Sequence, residues 1–203
     1  MAGSGRMKAG GSHGGCLSGP ALVVALLVAA GLGFVYSGVY DVAATKPHSR
    51  AERWLLRTLM ERSVNARVDE VPAPPAESDE LLATGFHHYD EMCVVCHGAP
   101  GVERSEIGEG IEPEPPDLAE TAGDRTLPEI FWITSQGIKM AGMPAFGPTH
   151  SEEEIWGISM FTRRLPEIDA AEYARLRREA AGRESARPES EDADPETPHS
   201  HTH

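Results

Sequence analysis

A chain of 203 residues has room for one medium domain, or for a small domain with attachments. With 18 Lys and Arg against 32 Asp and Glu, its formal charge of −14 excludes the basic footprint of a nucleic-acid-binding protein. Three cysteines, of which Cys16 stands far from the other two, exclude a disulfide framework.

Residues 1–16 are rich in Gly and Ser, carry Arg6 and Lys8 as their only fixed charges, and read as a flexible tail. Residues 17–40 follow, 24 in a row without a charge. As a helix they would span about 36 Å, enough to cross a hydrocarbon layer of about 30 Å. A cleaved leader is the competing reading, with Val42-Ala43-Ala44 as its small-residue site. Leader cores usually run only about 7–15 residues, so a retained anchor is expected. Arg6 and Lys8 on one side, and Lys46, Arg50 and Arg53 on the other, leave its orientation open on charge alone.

Residues 41–78 predict a juxtamembrane helix and a Pro-rich linker. Ser49 and Glu52 form a capping-box pattern, and Trp54, Leu55, Leu59 and Met60 lie along one side of the helix that follows. Arg50, Arg53, Arg57, Arg62 and Arg67 decorate the rest. Such a helix can lie on lipid or dock on a membrane partner, or it can be a solvated spacer packed lightly on the next domain. Pro72, Pro74 and Pro75 then stiffen the linker.

Charge concentrates in what comes next. Residues 78–166 hold 16 acidic and 5 basic groups, whereas residues 1–77 hold 6 and 8. A domain over 79–166 is only 88 residues long, a size at which a core alone is marginal and a staple is common. Its leading helix, Asp79 to Cys96, carries Leu81, Leu82, Gly85, Tyr89 and Met92 at helical spacing.

That helix ends in Cys93-Val94-Val95-Cys96-His97, the attachment pattern of c-type haem. The thiols of Cys93 and Cys96 add across the two vinyl groups of the porphyrin, and His97 lies under the iron as proximal ligand. A tetrahedral zinc site would need two further ligands, and the chain has no second Cys pair. A thioredoxin-type pair would need a βαβ setting, which is absent from the pattern. One such motif and no internal repeat predict a single haem.

Downstream, Thr126-Leu127-Pro128-Glu129 starts a helix through Phe131, Trp132 and Ile133 that should end at Gly137. A closing helix begins at Ser151, boxed with Glu154, and presents Ile155, Ile158, Ser159, Thr162 and Leu165 on a partly apolar face before Pro166 stops it. Residues 167–203, with 10 acidic and 5 basic groups, offer one more helix from Ala170 to about Ala181 and then read as disordered. His199, His201 and His203 close the chain on alternate positions, a weak metal-binding pattern or simply a polar end.

Taken together, residues 79–166 resemble a class I c-type cytochrome, similar to the membrane-anchored bacterial kind that serves respiratory chains. The resemblance implies an all-α cytochrome c fold around covalent haem, with first and last helices crossing near Gly85, Tyr89, Trp156 and Phe161. It implies a sixth ligand from a Gly-Met-Pro-Ala phrase, matched by Gly142-Met143-Pro144-Ala145, 46 residues beyond His97. Met143 is thus the expected partner of His97, and Met140 its rival. A Pro carbonyl after the motif, from Pro115 or Pro116, is implied as the acceptor for the His97 ring. Haem addition outside the bacterial cytoplasm would place everything after Tyr40 in the periplasm, tethered to the inner membrane. The expected function is single-electron transfer without catalysis, to redox partners with a basic docking surface that complements the acidic domain. Two other readings stay open: a permanent haem subunit of a respiratory oxidase or dehydrogenase, and a haem enzyme or ligand sensor with a labile sixth position.

Overall fold

A computed structural model describes residues 18–139 and 141–185 of the chain. Cys16, Met140 and the terminal histidines lie outside them. The described residues are helical, with no strand among them and only two isolated bridges, Ala99–Val102 and Ile138–Met143. They divide into two units, with the boundary between Lys46 and Pro47.

In the first unit, α1 runs over Ser18–Tyr36. It is shorter than the uncharged run. Its 18-residue stretch Gly19–Tyr36 is apolar enough to cross a membrane, with a mean hydropathy of 2.1 and none of it buried. At about 28 Å for 19 residues it still approaches the thickness of a hydrocarbon layer. The Ser37 hydroxyl folds back to the Phe34 carbonyl at 2.7 Å, and Gly38 takes a left-handed φ of 67°, which ends the helix.

The second unit opens on α2, Arg50–Asn65, whose box forms as expected: the Ser49 hydroxyl accepts from the Glu52 amide while Glu52 accepts from the Ser49 amide. The C-terminal end of α2 docks through fully buried Val64, and a tie to the rest of the unit comes from His48, which pairs with Glu112 at 2.8 Å. The segment after it is no free spacer either. Val71 packs on the cluster of Phe131, Ile155, Trp156 and Ile158.

The core is a crossing of two helices, α3 (Asp79–His88) and the later closing helix. Between α3 and α4 (Val94–His97) the chain widens into one π turn, Tyr89–Cys93, so the expected single helix of 79–96 is continuous but locally unwound. Short helices α5 (Glu106–Glu109) and α6 (Leu118–Thr121) lead to α7, Leu127–Gln136, with Pro128 in its first turn and Gly137 capping it at φ 64°. The closing helix α8 is Glu152–Arg164, capped by Ser151 and Glu154.

One expectation needs correction here. α8 does not have one apolar face: every residue from Ile155 to Thr162 is buried, because α3, α7 and α9 cover it from several sides. Past Pro166 the chain stays packed on these helices. That proline sits inside a 3-10 turn, Leu165–Glu167, and α9 runs over Ala170–Ser185. Tyr173 of α9 has no exposed surface and joins Phe86, Tyr89, Phe161 and Leu165 in one cluster. Its hydroxyl donates to Asp90 at 2.9 Å, and Arg177 reaches the other oxygen of the same carboxylate at 3.1 Å. The helix outside the expected boundary therefore clamps the π turn three residues before Cys93.

Candidate haem site

The α3–α8 crossing fixes where the Cys-x-x-Cys-His turn emerges. At Gly85 the backbones meet so closely that a Cβ would stand 2.0 Å from the Gly157 carbonyl oxygen. Of the aromatics expected at this crossing, Phe161 meets Tyr89 at 5.4 Å between ring centres, with Phe86 at the same distance. Trp156 instead stacks on Phe131 of α7 at 4.1 Å. Gly157 and Phe86 carry as much of the crossing as the residues the sequence pointed to.

The turn itself is held from three sides. The buried Tyr89 hydroxyl donates to the Gly98 carbonyl at 2.9 Å, and burial pushes that phenol well above its usual range. Ser105 bonds the Val95 carbonyl through both its amide, at 3.0 Å, and its hydroxyl, at 2.8 Å. Gly108 of α5 lies against it so tightly that a Cβ would be 2.9 Å from the Cys96 Cα. A side chain there would push α5 off the motif.

Within this frame Cys93 and Cys96 are unbridged thiols. Burial, with the neighbouring Cys96 second, raises the Cys93 thiol to about 12. The half-buried His97 places its Nδ1 2.8 Å from the Pro116 carbonyl. A carbonyl only accepts, so Nδ1 carries the proton and the Nε2 lone pair is left for a metal. Burial also lowers the His97 pKa, which keeps the ring in the neutral, ligating form; the Pro116 bond opposes that and nearby Arg104 assists it. Pro115 has a different task. Its carbonyl accepts from Arg104 at 2.9 Å, while the same guanidinium pairs with Glu114 at 3.0 Å. Arg104, an isolated cation in an acidic loop, is a site residue that motif reasoning passed over.

Met143 occupies a loop folded back on α7. The Ile138 amide bonds the Met143 carbonyl at 3.1 Å, and the Phe146 and Gly147 amides bond the Thr134 and Ser135 carbonyls. Gly142, at φ 71°, faces Ile111, and Phe146 packs into the cluster that also takes in Met92 and Cys93. The loops of Met143 and of the thiols thus border one apolar cluster. Inside it the indole Nε1 of Trp156, a fully buried N–H, has no acceptor among the described residues. Two thiols, a tautomer-fixed imidazole, a thioether on a neighbouring loop and an unmatched buried donor fit a c-type haem with acidic side chains.

Residues 80–161 match the family model described as cytochrome c oxidase, cbb3-type, subunit III. They form a c-type cytochrome domain. A relative of the chain is the quinohemoprotein alcohol dehydrogenase ADH IIB of Pseudomonas putida, 31% identical over 97 residues. That stretch is 47% of this chain but 13% of the relative, so the likeness spans only a small part of the larger protein. The cytochrome domain is mostly helical, as the sequence led one to expect, and its role is haem-based electron transfer.

Proposed function

We propose that this chain is a membrane-tethered carrier of single electrons, with one haem bound covalently through Cys93 and Cys96 and ligated axially by His97 and Met143. The observation that carries the reading is the 2.8 Å contact between His97 Nδ1 and the Pro116 carbonyl, which frees Nε2 on the turn of chain that carries two unpaired thiols. When bound, c-type haem supplies a one-electron couple, and a thioether sixth ligand raises its potential. The protein's own residues then orient the imidazole, exclude water with the Phe131–Trp156 cluster, and close both axial positions against substrate. The uncharged run Gly19–Tyr36 supports the tether, with the domain on the periplasmic side of the bacterial inner membrane.

Met143→Ala is expected to remove the weak near-infrared charge-transfer band of ferric His/Met haem and to lower the reduction potential. Met140→Ala should change neither. The opposite pattern would move the sixth ligand to Met140, and fast carbon monoxide binding by the unaltered ferrous protein would favour a sensor or enzyme with a labile position.

The description of the matched family favours a second reading, a haem subunit held permanently in an oxidase. The membership of a dehydrogenase is supported in the same way by the Pseudomonas putida relative. Charge separates a free carrier from either. The excess of acids over 78–166, including Glu103, Glu106, Glu109 and Glu112, favours brief encounters with a basic partner surface. Electron transfer to the membrane acceptor should slow as salt rises until the Debye length falls below about 8 Å. Lys in place of Glu106 or Glu109 should flatten that dependence. A rate already independent of salt, in a complex that survives detergent extraction, would decide for a fixed subunit.

A further inference from the structure

Among the described residues of the second unit six large apolar side chains are exposed, and four of them, Trp54, Leu55, Leu56 and Leu59, are on α2. A soluble domain has little reason to concentrate them on one 16-residue helix. Their placement is directional. Successive helical residues turn by about 100°, so Leu55 lies about 180° and Leu59 about 140° from Val64, the residue that docks α2. Leu55 and Leu59 are 49% and 58% exposed, whereas Val64 is fully buried. The helix is seated by one side and bare on the other.

The charge on α2 is opposite to that of the domain it leans on. It holds Arg50, Arg53, Arg57 and Arg62 against Glu52 and Glu61. Arg57 pairs with Glu61 at 2.8 Å, and Arg62 falls on the bare side near Leu59. Trp54, 69% exposed, has the amphipathic ring that favours a membrane–water boundary. Only residues 37–49 separate α1 from α2, 13 residues with an extended reach of at most about 45 Å. Anchored α1 would therefore keep α2 next to the headgroups at high local concentration.

The geometry points to α2 as a lipid-docking helix: Leu55 and Leu59 enter an anionic phospholipid surface while Arg62, beside them on the bare side, binds its phosphates and Trp54 sits at the boundary. The inference rests on the membrane tether. It goes further, because it fixes which side of the cytochrome domain is turned to the bilayer and which is left for redox partners.

The test uses the full haem-loaded chain carrying Cys16→Ser, reconstituted in phosphatidylcholine vesicles with and without phosphatidylglycerol. Nitroxides are attached at Leu55→Cys, Leu59→Cys and, as a control on α9, Arg178→Cys. In anionic vesicles the labels at 55 and 59 should collide with oxygen more than with a water-soluble nickel complex, and the label at 178 should do the reverse. Arg62→Gln should reduce the difference, and Arg57→Gln, on the side of Val64, should leave it in place. Water-exposed labels at 55 and 59 in both vesicle types would overturn the docking, as would dipolar broadening between labels that marks a second copy as the occupant. Carbonate washing tells this failure from that of the tether. A protein that washes off overturns both, and one that stays with water-exposed labels overturns the docking alone.

Discussion

Valine in place of Gly85 is expected to abolish the folded cytochrome domain. A Cβ at this position would lie 2.0 Å from the carbonyl oxygen and 2.4 Å from the carbonyl carbon of Gly157, and both are backbone atoms of α8. No rotamer change relieves a clash at Cβ, so α3 and α8 would have to separate. Gly157 offers no room from its side, since its own Cβ would be 2.8 Å from the Leu81 carbonyl. Separation would open the clusters on both flanks, around Phe86 and Phe161 and around Trp156. A cost upwards of about 3 kcal/mol is expected, a large share of the stability of a small domain. Gly85→Ala should already be severely destabilising, and Gly85→Val should yield no soluble haem-loaded protein. Gly182→Ala provides the contrast. It is also helical, its Cβ would meet nothing within 4 Å, and it should stabilise α9 by up to about 1 kcal/mol. Thermal unfolding followed by circular dichroism and by haem absorbance measures all three. A Gly85→Ala protein as stable as the parent would mean the two helices cross elsewhere.

Replacing both Cys93 and Cys96 by alanine is the second large change. On the proposed attachment, the denatured parent should weigh one haem more than its polypeptide, and the double variant should weigh the polypeptide alone. Its haem should extract into acidified organic solvent. The loss should also be structural. Cys93 is packed in both core clusters, and a covalent cofactor cross-links the attachment turn to the core it lies in. By the scale of other cross-links the variant should lose about 2–4 kcal/mol. Single variants should keep one thioether and an intermediate stability. Haem that extracts freely from the unaltered protein would sink the attachment outright.

The sequence by itself determined whatever depends on neighbours three or four residues away. Ser49 with Glu52, Thr126 with Glu129 and Ser151 with Glu154 all form their boxes, and Gly137 ends α7, because these bonds close within one turn. The haem pattern was legible for the same reason, since two thiols and an imidazole on one turn need no distant partner to be recognised. Tertiary structure alone decided the rest. Nothing in Pro115-Pro116 says which carbonyl the His97 ring meets; the choice of Pro116 follows from Arg104 holding Pro115. Nothing around Tyr173 announces a core residue, for its partners Phe86 and Asp90 lie more than eighty positions earlier. Gly157 reads as an ordinary helical glycine until α3 is laid across it. On α2, Val64 and Leu59 are equally apolar in sequence, yet one is buried and the other bare. Apolar periodicity shows that a side chain prefers to leave water, and only the packed neighbours show where it goes.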